Sequence, residues 1–179
     1  IEIPLGLELE YYPDCLPDLL PILQDHGVEY LLLGQHFLDS PTGQRTRDEI
    51  YDPKILEHYC DQVIEGMQTG AFTYVAHPDF MDFVGDDKAY ETHMRWLCRE
   101  AKGCNIPLEI NLLGIRSGRH YPDIRFWQTA AQEGCSVVLG CDSHDAASAW
   151  DPASEQIALE MIGHLGLHLL ETVNLRPIQ

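Results

Sequence analysis

Four glycines set the rhythm of this chain. Gly27, Gly70, Gly103 and Gly134 each stand between a stretch of helical character and a short apolar run. A glycine in that position ends a helix, because it enters the left-handed conformation without a Cβ penalty. Two helix starts are marked as plainly. Asp52-Pro53 and Asp151-Pro152 each supply an N-cap followed by proline at the first helical position. Repeated units of capped helix, glycine and buried strand specify an α/β chain with a parallel sheet or barrel.

The pattern predicts strands over Leu5–Glu10, Val28–Gly34, Phe72–Ala76, Pro107–Leu112, Ser136–Cys141 and Leu167–Val173. These runs are short and mostly apolar, as strands covered on both faces should be. Helices are predicted over Pro17–His26, Pro53–Thr69, Asp87–Lys102, Pro122–Glu133 and Pro152–Gly163. Connections from helix to strand are short. Those from strand to helix are long, above all Gln35–Asp52 and Leu113–Tyr121. In such folds ligands sit at the carboxyl ends of the strands, so chemistry belongs in these loops. No linker, repeat or low-complexity segment divides the 179 residues, and a single domain over 1–179 is expected.

The residue types at those strand ends are unusual. The first strand carries Glu8 and Glu10, the second ends at Gln35-His36, and the third runs into His77-Pro78-Asp79. The fourth carries Glu109 and Asn111, and the fifth ends in Asp142-Ser143-His144. Carboxylates and imidazoles gathered on one rim repel or lose hydration unless a cation joins them. Mixed ligands of this kind suit Zn, Mn or Fe better than Ca or Mg. Divalent ions there would lower the pKa of a bound water and hold a phosphoryl or carbonyl oxygen, so hydrolysis is the reaction class expected.

The charge of −18 disfavours nucleic acid as a partner, since a phosphate backbone requires a basic surface. No apolar run is long enough for a membrane span and no signal-peptide pattern opens the chain. None of the six cysteines lies in a C-x-x-C pair, so they read as reduced core thiols of a cytoplasmic protein.

The ordered set of motifs resembles the histidinol-phosphatase branch of the PHP (polymerase and histidinol phosphatase) metallohydrolases. It comprises Gly6-Leu7-Glu8 with Tyr12-Pro13, Leu33-Gly34-Gln35-His36-Phe37-Leu38 and Ala76-His77-Pro78-Asp79. Leu108-Glu109-Ile110-Asn111 with Gly114-Ile115-Arg116, Asp142-Ser143-His144 and Leu175-Arg176-Pro177-Ile178 complete it. The resemblance implies a distorted βα barrel with up to three divalent metals. It implies that Glu8 bridges two of them, that His36 and His77 bind the second, Asp142 the first and His144 the third. Glu8 and Asp142 would then be the catalytic carboxylates. Arg116 would grip the substrate phosphate, with Asn111 as a further substrate contact. L-histidinol phosphate would be hydrolysed to L-histidinol.

The family opens with a His-x-His strand and further metal-binding histidines that these residues do not contain, so an N-terminally incomplete, partial domain is expected. Gln35 also stands where the family usually has a smaller residue. The alternatives are a weakly active or inactive metal-binding domain, or a related hydrolase acting on another substrate. Several residues keep rival readings. Glu10 could replace Glu8, and Glu109 could bind metal or support the site from behind. Asn111 could cap a turn, and Arg119 competes with Arg116 for the phosphate. His120 and Trp150 could approach the pocket, whereas Trp96 and Trp127 read as packing residues.

Overall fold

The computed structural model describes residues 3–178. Six strands, β1 (Gly6–Leu9), β2 (Tyr30–Leu33), β3 (Phe72–Val75), β4 (Leu108–Asn111), β5 (Ser136–Gly140) and β6 (His168–Leu169), form one sheet. All neighbours are parallel and the spatial order is the chain order. The helices are α1 (Leu16–Asp25), α2 (Pro53–Gln68), α3 (Asp87–Gly103), α4 (Leu112–Arg116), α5 (Ile124–Glu133) and α6 (Pro152–Leu165). With right-handed crossovers, a sequential strand order carries every crossover helix to the same face of the sheet. The core lies between the two layers. Leu31, Leu33, Val75, Leu108, Ile110 and Val137 pack there with Leu56, Val63, Met94, Leu97 and Phe126. Alternation sends Glu8, Leu32, Tyr74, Glu109 and Val138 to the opposite face, where the register sets Glu8 beside Leu32 and Leu32 beside Tyr74.

The sheet is not closed among the described residues, so the parallel α/β part of the expectation holds and these strands form no complete barrel. Among the described residues β1 and β6 share no ladder, and β6 makes only two register pairs with β5. The last strand was expected to run to Val173 but ends at Leu169. Beyond it the chain turns back beneath the sheet. Arg176 accepts its place there by donating from its backbone N to Thr73 Oγ1, and Gln24 Nε2 donates to the Ile178 carbonyl at 2.6 Å.

The helix boundaries follow their caps. Asp52, Asp86, Asp123 and Asp151 accept from the backbone N of Lys54, Ala89, Arg125 and Ser154. The Asp123 cap moves the start of α5 from the expected Pro122 to Ile124. Gly27, Gly70 and Gly134 have φ of 76°, 74° and 70°, as predicted. Gly103 instead ends α3, and Asn105 takes the left-handed position at φ 51°. Asparagine tolerates that region better than most side chains. The short α4 was not anticipated. Asn111 starts it, its Oδ1 accepting from Gly114 N at 3.1 Å. All six cysteines are unpaired, and Cys60, Cys98 and Cys135 are buried.

Candidate metal centre

Glu8, His36 and His77 converge. They project from β1, from the segment after β2 and from the segment after β3, at the carboxyl ends of three adjacent strands. His77 Nε2 lies 3.0 Å from Glu8 Oε1, and His36 Nε2 lies 3.6 Å from the same oxygen. Two ligand atoms about 2.1 Å from one ion at a tetrahedral angle are about 3.4 Å apart, so this spacing fits a shared cation. Glycine makes the approach possible. A Cβ on Gly34 would stand 2.1 Å from Glu8 Oε1, so the carboxylate lies where a side chain would otherwise be. Gly140 does the same for Glu109, whose Oε1 would be 1.5 Å from its Cβ.

Electrostatics and backbone shape reinforce the grouping. Burial alone would raise the Glu8 carboxyl. The hydrogen bond from His77, with the charges of His77, His36 and His144, instead holds it below the ordinary carboxylate range. Burial opposes charge on His77, but Glu8, Glu109 and Asp142 together raise it. Each group thus favours the charged form of the other. His77 is 2% exposed and has φ 31°, and Asp142 has φ 44°. Non-glycine residues in the left-handed region cost on the order of 1–3 kcal/mol each and collect at functional sites. The His77 backbone N donates to Glu109 Oε2 at 2.9 Å, whereas its buried Nδ1 has no partner among the described residues.

Asp142 is joined to this group through a buried amide. Asn111 Nδ2 donates to Glu109 Oε2 and to Asp142 Oδ2, both at 3.1 Å. With its Oδ1 capping α4, the Asn111 side chain is fully engaged inside the protein. Glu109 supports His77 from behind and is not among the converging ligand atoms; burial raises its pKa above the ordinary value. Arg116 clamps the next loop. Its Nη1 donates to the Cys141 carbonyl at 2.8 Å and its Nη2 to the Asp142 carbonyl at 2.6 Å, with Asp151 at 3.7 Å. Three of its five N–H donors are left over from these two bonds. His144 does not join the cluster. Its side chain is 74% exposed, with Nδ1 3.4 Å from Asp142 Oδ1.

The rival residues find other places. Arg119 Nη1 donates to Tyr121 OH at 2.6 Å, and His120 Nε2 meets the Phe80 carbonyl at 2.8 Å. Trp150 and Trp96 are exposed, while Trp127 is buried and donates from Nε1 to Asp79 Oδ2 at 2.9 Å. Sequence reasoning missed Phe80, whose ring lies 4.6 Å from His36 and 4.9 Å from His77 by centroid. It also missed the link between Glu10 and His36, with Glu10 Oε1 3.3 Å from His36 Nδ1. The signal was present, since Glu8 and Glu10 are two residues apart on one extended segment.

No protein-family model matches the sequence, and no curated protein matches it. Among solved structures, the chain is similar to a histidinol phosphate phosphatase from Lactococcus lactis subsp. lactis Il1403, crystallised with zinc, L-histidinol and phosphate. The TM-score is 0.69 at 17% identity, and the match covers 100% of this chain and 72% of that chain. The protein therefore shares the fold of that phosphatase and presents Glu8, His36 and His77 as a metal-ligand group at the carboxyl ends of its strands.

Proposed function

We propose that the protein is a metal-dependent phosphomonoester hydrolase whose substrate is L-histidinol phosphate. The observation that carries this reading is the convergence of Glu8, His36 and His77 at the strand ends of a fold shared with a histidinol phosphate phosphatase. A divalent ion (Zn, Mn or Fe by the mixed donor set, with up to three in a full site) would supply a water of lowered pKa and neutralise phosphoryl oxygens. Glu8, held ionised by two imidazoles, is the shared carboxylate. His36 and His77 complete one position. Asp142 and His144 are proposed for the others, with Glu8 and Asp142 as the catalytic carboxylates.

The remaining side chains hold and aim. Arg116 fixes the Asp142 carbonyl and turns its leftover donors to the substrate phosphate, for which its planar fork is suited. Asn111 serves the substrate through Asp142, whose Oδ2 it fixes. The proposed assembly is a single PHP-like catalytic domain, with no nucleic-acid or membrane partner, in the cytoplasm. No helix among the described residues is long and apolar enough to cross a membrane.

One observation favours a second reading, a metal-binding domain with weak or no activity: His144 stands in solvent and, among the described residues, three ligands converge. Elemental analysis combined with phosphate release from L-histidinol phosphate separates the two. Two or more metals per chain with turnover support the hydrolase. One metal or fewer, with no release from any small monoester, removes it.

A further inference from the structure

We infer that Glu10 is a positioning residue for His36, and that it fixes which imidazole nitrogen is free to bind metal. The inference rests on the proposed metal site but not on the proposed substrate. Glu10 follows the last residue of β1, and one oxygen of its carboxylate is held by hydrogen bonds while the other faces His36. Oε2 accepts from the Tyr12 hydroxyl and, at 3.3 Å, from the Phe37 backbone N. Oε1 lies 3.3 Å from His36 Nδ1. A carboxylate can only accept, so a cation held at Nε2 would leave the proton of a neutral His36 on Nδ1, beside Glu10. The lone pair is then on Nε2, the atom that faces Glu8 Oε1 at 3.6 Å. Phe80 and His77, edge-on at centroid distances of 4.6 and 4.9 Å, confine the ring in that orientation.

His77 shows what the arrangement adds. Its Nε2 faces the same Glu8 oxygen, yet its Nδ1 is buried without a partner among the described residues. Backbone conformation and the Glu109 bond set the place of His77, while a carboxylate sets the tautomer of His36. A carboxylate behind a ligating imidazole orients the ring and raises its basicity, and losing such a partner typically costs about 10–100-fold in metal affinity.

The test uses Zn²⁺ alone, by competition with a chelator, together with ring-nitrogen NMR of the metal-free protein at alkaline pH, where imidazole is neutral. Wild type is expected to show His36 as the Nδ1–H form. Glu10→Ala should weaken Zn²⁺ binding about 10–100-fold and shift His36 toward the Nε2–H form. Glu10→Gln, close to isosteric, guards against a folding defect and should give a smaller loss with the same change of tautomer population. Tyr12→Phe, which removes one of the two hydrogen bonds to Glu10 Oε2, should give the smallest loss in the same direction. Unchanged affinity and an unchanged His36 tautomer in both Glu10 variants would overturn the inference and leave the hydrolase reading standing. Zn²⁺ binding that depends on Glu10, in a protein that releases no phosphate, would uphold the inference and defeat the hydrolase reading.

Discussion

The two halves of the rim are built differently. Glu8, His36 and His77 come from three strands that are neighbours in one sheet, and their donor atoms meet around a single Glu8 oxygen. Asp142 and His144 come from the segment beyond β5, separated from β3 by β4. The first half is packed against Phe80 and backed by Glu10 and Glu109. The second is tied down by Arg116 and Asn111 at its first residue only, and His144 is left in solvent. The contrast teaches that a ligand motif in sequence becomes a site only where surrounding packing fixes each donor. The first half is preorganised. In the second, His144 is not brought to the other donors.

The sharpest way to break the comparison is to remove one ligand from each half. His77→Ala should reduce metal affinity beyond the roughly 100-fold typical of lost outer partners. His144→Ala should leave the tightest-bound metal within a few-fold of wild type. Chelator competition checks both, and equal losses would show the halves to be one cooperative site. Next in size is Gly34→Ala. Its Cβ would meet Glu8 Oε1 at 2.1 Å, so Glu8 must move, at a stability cost of about 1–3 kcal/mol for overpacking. Thermal melting should fall while Gly27→Ala, where no atom lies within 4 Å but φ is 76°, loses only the smaller backbone-strain amount. If Gly34→Ala melts like wild type, the close approach of Glu8 is not required.

Arg116→Ala should act on the second half alone. Hydrogen exchange in the 142–151 segment should speed up, and the first half should keep its metal affinity. A loss of metal from the Glu8 group would mean that the clamp supports both halves. A separate, pH-dependent effect concerns Asp79, two residues after His77. Burial raises its pKa to about 7, opposed by hydrogen bonds from the Asp123 N and the Trp127 indole. The folded state then holds a proton that the unfolded chain releases near its ordinary pKa of about 3.9. Its contribution to stability is therefore present at low pH and falls as pH rises from about 4 to 7. The slope is at most about 1.4 kcal/mol per pH unit for one proton. Asp79→Asn, measured with chelator present, should flatten that slope, and an unchanged slope would assign the proton elsewhere.

Much of the architecture was legible in local chemistry. Asp52 and Asp151 cap helices as read, and Gly27, Gly70 and Gly134 are left-handed as read, because caps and positive φ depend on a few neighbouring residues. Glu8, His36 and His77 were legible because parallel strands deliver their last residues to one rim. What failed was non-local. The final strand was read over Leu167–Val173 as an apolar run. Its pairing with β5 stops near Leu170, whose N still donates to the Val137 carbonyl, and the tail beyond it is held by Arg176 and Ile178. Asn111 read as an even choice between substrate and turn. Only in three dimensions do Gly114, Glu109 and Asp142 all claim its amide.

By itself, the sequence determined an α/β chain with parallel strands and the set of side chains expected at their carboxyl ends. Helix caps, glycine conformations and strand alternation are set within a few residues and need no distant partner. Tertiary structure alone decided that the sheet stays open, that Glu10 stands behind His36, and that Asp142 reaches the site through Asn111 while His144 does not. Those outcomes depend on which strands lie side by side and on distances of about 3 Å between residues tens of positions apart. No local preference encodes such distances, because they are the sum of every packing choice in between.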